Sequence, residues 1–210
     1  MNKRKVKLII EKLGETYPDA RPELNFSSEY ELLVAVILSA QCTDKRVNEV
    51  TKVLFKEYNT PEKMLTLKTE ELASIIRPCG LFNSKAEHIL SASKSIIDNF
   101  GGKVPSDYND LLSLSGVGRK TANVVSAVAF SKDAIAVDTH VFRVSNRIGL
   151  AKSNTPEKTE KDLMNNLEKN VWSKAHHYLI FHGRRVCKAR NPDCSLCAIK
   201  DYCEYKVKNL

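Results

Sequence analysis

Hydrophobic residues recur along the chain at the spacing of α-helices. Five of them near the N-terminus share positions i, i+3, i+4, i+7 and i+11, which line one face of a helix: Val6, Ile9, Ile10, Leu13 and Tyr17. Residues 32–38 are apolar throughout, which is typical of a helix buried on all sides. Only residues 134–137 favour an extended conformation, and helices do not alternate with strands. The pattern therefore predicts an all-α fold.

Four sites carry the residues that typically begin a helix. Serine followed three residues later by glutamate fits a capping box, and threonine followed by proline fits an N-cap with proline in the first turn. The four pairs are Ser28 with Glu31, Ser84 with Glu87, Thr60 with Pro61, and Thr155 with Pro156. The clearest breaks between helical segments are residues 101–102 and 131–133, and the second precedes a more basic C-terminal part.

Composition predicts a globular protein of the cell interior. Of the 210 residues, 42% are hydrophobic and 28% charged, which is enough for a buried core. No apolar run approaches the ~20 residues that span a bilayer, and the N-terminus lacks the apolar core and cleavage site of a signal peptide. Thiols inside a cell are mostly reduced, so we expect clustered cysteines to bind metal rather than to form disulfides.

Positive charge is concentrated near the C-terminus. The formal net charge is +8, and residues 181–210 hold seven Lys or Arg and three acidic residues, so they carry half of it. A basic patch is typical of a protein that binds a polyanion, nucleic acid above all, although an ordinary solvated surface has the same composition. Charge alone leaves both alternatives open.

Four of the six cysteines fall between Cys187 and Cys203, with the spacing C-x6-C-x2-C-x5-C. Zinc sites more often combine two C-x2-4-C pairs across a longer loop, whereas four thiolates on one short segment suit a compact iron–sulfur cubane. The spacing favours an iron–sulfur cluster, with a four-cysteine zinc site as the alternative. Lys188 and Arg190 lie between the first two cysteines, on a loop that could present cations to phosphates.

Gly116, Val117 and Gly118 separate two helical runs. No strand precedes them and the third glycine position is occupied by threonine, so they are not a dinucleotide-binding fingerprint. Glycines allow a tight turn that bares backbone N–H groups, and the following helix adds its positive N-terminal end. The turn could bind a nucleic-acid phosphate, or it could be an ordinary connection between helices.

Lys120 follows this turn by two residues. At ~100° per residue it lies at the edge of an apolar arc, with Arg119, Asn123 and Ser126 on the polar side. A lysine in partly apolar surroundings near a helix N-terminus should lose affinity for its proton, and a neutral amine is a nucleophile suited to Schiff-base chemistry. A lysine whose ammonium reaches solvent is the simpler alternative.

Asp138 precedes an apolar series at helical spacing, Val141, Val144 and Ile148, so it is predicted to cap a helix. The sequence by itself favours this capping role. Capping and catalysis are compatible, because a carboxylate that accepts backbone N–H groups stays ionised.

These features occur together in a known family. The glycine turn with Lys120, the segment VDTHVFRVSNRIGL at 137–150 and the cysteine spacing resemble the endonuclease III family of DNA glycosylases, helix-hairpin-helix enzymes of base-excision repair. SAQCTD at 39–44 and GLFNSKA at 80–86 also match, so the resemblance covers essentially the whole chain. Ser115 departs from the family pattern, which usually has proline before the first glycine.

The resemblance implies two helical domains. A six-helix domain with the helix-hairpin-helix would span residues 22–132, and a [4Fe-4S] cluster domain would combine residues 1–21 with 133–210. The cluster ligands would be the four cysteines of the C-terminal segment: Cys187, Cys194, Cys197 and Cys203.

The resemblance also implies a bifunctional DNA N-glycosylase and AP lyase that removes oxidised pyrimidines. Lys120 would attack C1′ of the damaged nucleotide, and Asp138 would help to deprotonate the lysine and stabilise positive charge on the sugar. The resulting Schiff base would permit β-elimination, which nicks the strand. Other residues would contact DNA: Gln41 and Leu81 in the space left by the extruded base, Gly116, Val117, Gly118 and Arg119 in the hairpin, and His140, Lys188 and Arg190.

One alternative to the bifunctional enzyme is a related protein, the adenine-mismatch glycosylase. It shares the cluster and the aspartate but typically lacks the lysine and has an added C-terminal domain, whereas Lys120 is present here and the chain ends seven residues after Cys203. A non-catalytic DNA-binding module is an alternative of another class. The expected partner is double-stranded DNA with damaged pyrimidines or abasic sites. We expect a monomer without membrane contact, in the cytoplasm and at the nucleoid of a prokaryote.

Overall fold

The computed structural model describes residues 1–206, and Lys208 of the basic C-terminal part lies outside them. Within residues 1–206 every regular element is a helix, so the all-α prediction is confirmed and residues 134–137 form no strand. The α-helices, in chain order, are α1 (Lys3–Thr16), α2 (Glu29–Leu38), α3 (Asp44–Leu54), α4 (Pro61–Met64), α5 (Thr69–Ile76), α6 (Phe82–Phe100), α7 (Tyr108–Ser113), α8 (Arg119–Ala129), α9 (Thr139–Ile148), α10 (Pro156–Asn166) and α11 (Trp172–Arg185). Short 3-10 helices cover Arg77–Cys79, Lys169–Val171, Cys194–Leu196 and Lys200–Tyr202.

The chain folds into two compact units. The central unit, Glu23–Lys132, contains α2 to α8, of which all but α4 are longer than a single turn. The terminal unit combines Met1–Pro22 with the residues from Asp133 onward and contains α1 and α9 to α11. None of the helices in residues 1–206 has both the length and the apolar character that a membrane crossing requires.

The central unit is built around α2, whose residues from Tyr30 to Leu38 are all buried, as the apolar sequence predicts. It packs against α3, α6 and α8. Ser28 caps it by accepting the N–H of Glu31 at 3.2 Å, which confirms the predicted N-cap. The buried Glu31 carboxylate accepts the N–H of Ser27 at 2.6 Å, one residue further back than in a standard capping box.

The other predicted helix starts differ in outcome. Thr60 and Thr155 are N-caps with proline in the first turn, as predicted. The prediction for Ser84 was wrong, because α6 already begins at Phe82 and its N-cap is Leu81. Two successive residues with positive φ, Gly80 and Leu81, turn the chain into α6 before it reaches the serine.

The buried face of α8 differs from the apolar arc predicted for it. The buried residues of this helix, which packs on α2 and α7, are Ala122, Asn123, Val125 and Ser126. Asn123 and Ser126, predicted to lie on the polar side, are therefore in the core. Packing on α2 and α7, rather than the polarity of single side chains, decides which face of α8 is covered.

The terminal unit has its own apolar core, which includes all five residues of the predicted α1 stripe. α11 packs on α1 and α9, and α9 packs on α10. Residues 135–137 are buried although they form no strand. The carbonyl of Ala136 accepts a hydrogen bond from Nδ1 of His176 at 2.8 Å, so this buried backbone group is still paired.

Two buried serines of the central unit allow a matched test of its core. Ser93 Oγ donates to the carbonyl of Ile89 at 2.7 Å and accepts from the Tyr30 hydroxyl at 2.6 Å, whereas Ser126 Oγ has no hydrogen-bond partner within residues 1–206. We expect Ser93→Ala to lower the free energy of unfolding by about 1–3 kcal/mol, because it leaves a buried hydroxyl unpaired. Ser126→Ala should keep it or raise it by up to about 1 kcal/mol. Urea denaturation followed by circular dichroism measures both, and equal losses would contradict these bonding patterns.

Candidate functional site

The glycine turn of the hairpin connects α7 to α8. The N–H of Val117 donates to the carbonyl of Leu114 at 3.1 Å, and both side chains are buried. Val117, expected to contact DNA, therefore anchors the turn with its side chain. Gly116 has φ 76°, and a Cβ there would lie 2.8 Å from the Cβ of His88. Conformation and space both require glycine at this position.

Gly118 contributes to the turn in a different way. It is the N-cap of α8, and its φ of −91° suits any residue. Apart from its chain neighbours and the backbone of α8, no atom of residues 1–206 lies within 4 Å of a Cβ added there. The first N–H groups of a helix have no partner within the helix, and glycine has no side chain to cap them. The start of α8 thus faces open space beside the exposed Arg119 and Lys120, an arrangement that favours an anion.

Ser115, where the family usually has proline, ties the turn to α6. Its Oγ lies 2.9 Å from Nδ1 of His88. The side chain of the same histidine packs against Gly116. A hydrogen bond therefore restrains the turn in place of the rigid proline ring.

Lys120 is the second residue of α8, and its side chain is exposed. At ~100° per residue it lies on the side of the helix opposite the buried Ala122 and Ser126. The partly apolar surroundings that the sequence predicts for the Lys120 side chain are not found. The buried face of α8 differs from the predicted apolar arc and lies on the other side of the helix from the lysine. The exposed amine is instead accessible to a ligand at the hairpin.

Asp138 is the N-cap of α9, as predicted, and its Oδ1 accepts the N–H of Val141 at 2.7 Å. The side chain is half-buried. Nδ1 of His140 lies 3.2 Å from Nη2 of Arg143, which can only donate, so this ring nitrogen accepts. One hydrogen bond fixes the carboxylate and another fixes the imidazole, both at the start of the same helix.

Gln41 and Leu81 share an uncommon conformation. Both have left-handed backbones, with φ 53° and 48°, and both side chains are exposed, Leu81 to 58%. A left-handed residue other than glycine costs about 1–2 kcal/mol, and an exposed leucine gains little from packing. Strain of this kind clusters at functional sites, which makes both positions candidates for contact with a ligand.

Lys85 is a residue that sequence analysis missed. Its Nζ donates to the carbonyls of Leu38 and Ala40, both at 2.8 Å, and of Cys79 at 2.9 Å. These carbonyls belong to the turns before α3 and α6, which carry Gln41 and Leu81. The lysine lies within the GLFNSKA motif, but no spacing pattern indicates that its ammonium is buried.

The four C-terminal cysteines lie together in the terminal unit. All are partly buried, and none of the six cysteines forms a disulfide. Burial raises the pKa of the Cys197 thiol, and Cys203, Cys187 and Cys194 raise it further, so these three lie within its electrostatic reach. Among residues 1–206 no three His, Cys, Asp or Glu side chains are preformed for a single metal ion. Four reduced thiols on one segment nevertheless fit the ligand set of an iron–sulfur cluster.

His182 links one of these cysteines to the core of the terminal unit. Its Nε2 lies 3.6 Å from Sγ of Cys197, and its Nδ1 lies 2.8 Å from the hydroxyl of Tyr17. A thiolate that ligates a cluster only accepts hydrogen bonds. With Cys197 as such a ligand, Nε2 would carry the proton, Nδ1 would accept and the tyrosine would donate. Burial, with a further contribution from Cys197, raises the pKa of Tyr17 to about 12, which keeps the hydroxyl protonated.

Two arginines of α9 hold the segment that begins the cysteine cluster. Nη2 of Arg143 donates to the carbonyl of Cys187 at 3.1 Å. Arg147 donates to the carbonyls of Lys188 and Ala189 at 2.7 and 3.0 Å, and its Nη1 lies 3.7 Å from Sγ of Cys187. Sequence analysis missed both arginines, whose only signal was their four-residue separation on one face of a predicted helix.

The two cations predicted on this segment, Lys188 and Arg190, are exposed. Nζ of Lys188 lies 2.8 Å from a carboxylate oxygen of Asp193. An exposed ion pair contributes about 0–1 kcal/mol, so replacing this carboxylate by a phosphate would cost little. The backbone carbonyls of the segment are held by α9, and its cationic side chains remain available.

Comparison with known proteins identifies the architecture. Residues 34–169 match the family model of the HhH-GPD superfamily base excision DNA repair protein, and residues 187–203 match that of the iron-sulfur binding domain of endonuclease III. The chain is 52% identical over 200 residues to endonuclease III of Rickettsia conorii, with 95% of each chain covered. It is 47% identical over 208 residues to endonuclease III of Escherichia coli K12, with 99% of each covered.

A solved structure, a trapped endonuclease III–DNA covalent intermediate, matches with a TM-score of 0.93 at 45% identity, over 97% of this chain and 96% of that one. Fold and site together define a helix-hairpin-helix protein of base-excision repair. The chain belongs to the endonuclease III family of that superfamily, DNA-binding enzymes that are DNA glycosylases and AP lyases. The cofactor is a [4Fe-4S] cluster rather than zinc, because the iron–sulfur domain covers all four cysteines.

Loss of one of the four cysteines should prevent assembly of the cluster. We expect Cys194→Ser to purify without the visible absorbance of an iron–sulfur protein, because the cluster needs four thiolates. Cys42→Ser is the matched control and should keep the absorbance, since Cys42 lies in the central unit. Iron and acid-labile sulfide are measured in both proteins, and a full iron content in Cys194→Ser would contradict the assignment.

Proposed function

We propose that this enzyme removes oxidised pyrimidines from double-stranded DNA and nicks the strand, with Lys120 as the nucleophile. The observation that carries the proposal is the exposed amine at the start of α8, directly after the glycine turn. The related endonuclease III structure contains a trapped covalent intermediate with DNA, as an amine nucleophile would form. The adenine-mismatch glycosylase typically lacks this lysine, so its presence favours the bifunctional activity.

The reaction follows from the chemistry of the amine. Unprotonated Nζ of Lys120 attacks C1′, and the bond from C1′ to the base breaks, so that the base leaves with the electron pair and takes up a proton. The sugar ring then opens as nitrogen forms a double bond to C1′, which gives the Schiff base. Loss of a proton from C2′ expels the 3′ phosphate, and water finally hydrolyses the Schiff base and restores the lysine.

Asp138 accepts the proton of the lysine and stabilises positive charge on the sugar. Its Oδ1 accepts the N–H of Val141 at 2.7 Å at the N-terminal end of α9, which fixes the position of the carboxylate. A negative charge held in a fixed position stabilises positive charge that develops only in the transition state. The role in capping therefore prepares the carboxylate for its role in catalysis.

Other residues bring the nucleotide to the lysine. Extruding a base costs a few kcal/mol, less for a damaged base, and Gln41 and Leu81 compensate by filling the vacated space. The remaining residues contact the DNA backbone or line the site. Gly116 and Gly118 contact the backbone through their N–H groups, and Arg119, Lys188 and Arg190 contact phosphates. His140 lines the site.

We further propose that the enzyme acts as a monomer on damaged pyrimidines and abasic sites of chromosomal DNA, in the cytoplasm and at the nucleoid of a prokaryote. One chain supplies the lysine, the carboxylate and the four cysteines, so the chemistry needs no second copy. An abasic site offers the same reactive C1′ as a damaged nucleotide that has lost its base, so both substrates lead to one Schiff base.

Borohydride trapping on a duplex with one thymine glycol tests the role of Lys120. The native protein should form a covalent complex, because borohydride reduces the Schiff base to a stable amine. Lys120→Ala should form none. Lys120→Arg is the matched control: it keeps the positive charge and should still bind the duplex, but it should not trap. Trapping by either variant would place the Schiff base on another amine.

Asp138→Asn separates capping from catalysis. Asparagine caps a helix about as well as aspartate, so stability should change little, whereas turnover should fall by about 10²–10⁴-fold. Asp107→Asn alters another N-cap aspartate, that of α7, and should leave turnover unchanged. Single-turnover rates and DNA affinities are measured for both, and parallel losses of turnover and affinity in Asp138→Asn would assign it a structural role.

A further inference from the structure

The ammonium of Lys85 is buried beneath two turns of the central unit. Its side chain is 4% exposed, and its Nζ donates to three carbonyls at 2.8–2.9 Å. Three donors meet three acceptors, whereas a neutral amine would have only two hydrogens to donate. Lysine is almost never fully buried unless its charge is compensated, so this arrangement fixes the side chain and the carbonyls together.

The three carbonyls flank the residues proposed to enter the DNA stack. The carbonyl of Leu38 ends α2, and that of Ala40 lies directly before Gln41. The carbonyl of Cys79 ends the 3-10 helix two residues before Leu81. The last carbonyls of a helix lack partners and form the negative end of its dipole, so a cation stabilises them. One ammonium thereby joins two turns that are far apart in sequence.

Within residues 1–206 no carboxylate pairs with Lys85, and the dipoles of three backbone carbonyls balance its charge. The pKa of Lys85 is lowered, because the effect of burial exceeds the opposing effects of Cys79 and Cys42 nearby. Burial, with a contribution from Cys42, also raises the pKa of the Cys79 thiol to about 11, so this thiol is neutral at physiological pH. The bonds from the ammonium to the carbonyls therefore hold the lysine in place.

We propose that Lys85 is a positioning residue for base extrusion: by anchoring both turns, it holds Gln41 and Leu81 ready to enter the space left by the damaged nucleotide. The inference rests on the proposed function of these two side chains. Both are exposed and both have left-handed backbones, so a turn without its anchor would relax to a commoner conformation. An anchored turn is ordered before DNA binds, which reduces the cost of ordering it in the complex.

Lys85→Met tests the proposal because methionine keeps much of the side-chain length and removes the charge and the donors. Affinity for a thymine glycol duplex should fall about tenfold or more, the equivalent of 1.4 kcal/mol. Affinity for the undamaged duplex should stay within about twofold of native, because phosphate contacts do not depend on these turns. The fluorescence of a 2-aminopurine beside the lesion increases when this base is unstacked. This signal should show slower base extrusion in the variant, while the rate of association with DNA stays unchanged.

The double variant Gln41→Ala/Leu81→Ala distinguishes failure of this inference from failure of the proposed function of Gln41 and Leu81, on which it rests. If Lys85 acts through the two side chains, adding Lys85→Met to the double variant lowers lesion affinity no further. Equal losses of affinity for damaged and undamaged duplexes in Lys85→Met would overturn the proposal in favour of a general structural role. Native lesion affinity in the double variant would instead overturn the roles of Gln41 and Leu81, and the proposal with them.

Hydrogen exchange in the native protein provides a test that does not depend on the variant folding. If one ammonium anchors both turns, the hydrogen-bonded amides of the two turns, those of Ala40 and Cys42 in one and Gly80 in the other, should open together with a common protection factor. Independent opening of the two segments would overturn the proposal. Circular dichroism of Lys85→Met shows whether its binding data come from a folded protein.

Discussion

Burial of α2 on every side is the constraint on which the central unit depends. Each large apolar side chain that leaves water contributes about 1.5–3 kcal/mol, so a helix that is apolar all round must be enclosed by other helices. The enclosing helices carry the functional turns: α8 begins at the hairpin, α6 begins after Leu81, and α2 itself ends shortly before Gln41. One set of apolar contacts therefore fixes the three turns relative to one another.

The end of the terminal unit is ordered by polar contacts rather than by apolar burial. Among residues 186–206 only Pro192 and Ile199 are buried, although ordering a residue costs about 1–2 kcal/mol of backbone entropy. Carbonyl contacts from Arg143 and Arg147 and the hydrogen bond from His182 compensate in part. When bound, the cluster adds four iron–thiolate bonds that cross-link the segment. A loop held in this way can expose its cations without collapsing onto the protein.

Local signals in the sequence predicted much of the fold, because a cap or an apolar stripe depends on residues within a few turns. The α1 stripe and the caps at Ser28 and Asp138 are of this kind. The covered face of α8 depends instead on its packing partner, so Asn123 was placed on the wrong side. The bonds of Lys85 reach carbonyls up to 47 residues away and leave no local pattern.

For the candidate site residues, the sequence predicted the position in the fold better than the surroundings of the side chain. The sequence predicts Lys120 at the start of the helix after the glycine turn with partly apolar surroundings. The structure places it there, but with an exposed side chain. Burial of a side chain depends on tertiary contacts that helical spacing does not contain. Left-handed backbones at Gln41 and Leu81 were also invisible in the sequence, since neither residue type favours that conformation.

The proposed roles of Gln41 and Leu81 give their strain and exposure a common physical purpose. A glycosylase must distinguish a damaged base from many intact ones, and the difference lies in the small cost of leaving the stack. Any binding energy used to order the protein would be unavailable for extrusion. If Lys85 anchors the turns of Gln41 and Leu81 as proposed, both turns are ordered before DNA arrives, and their strain is offset by the buried core beneath them. The energy of binding can then act mainly on the nucleotide, where intact and damaged bases differ.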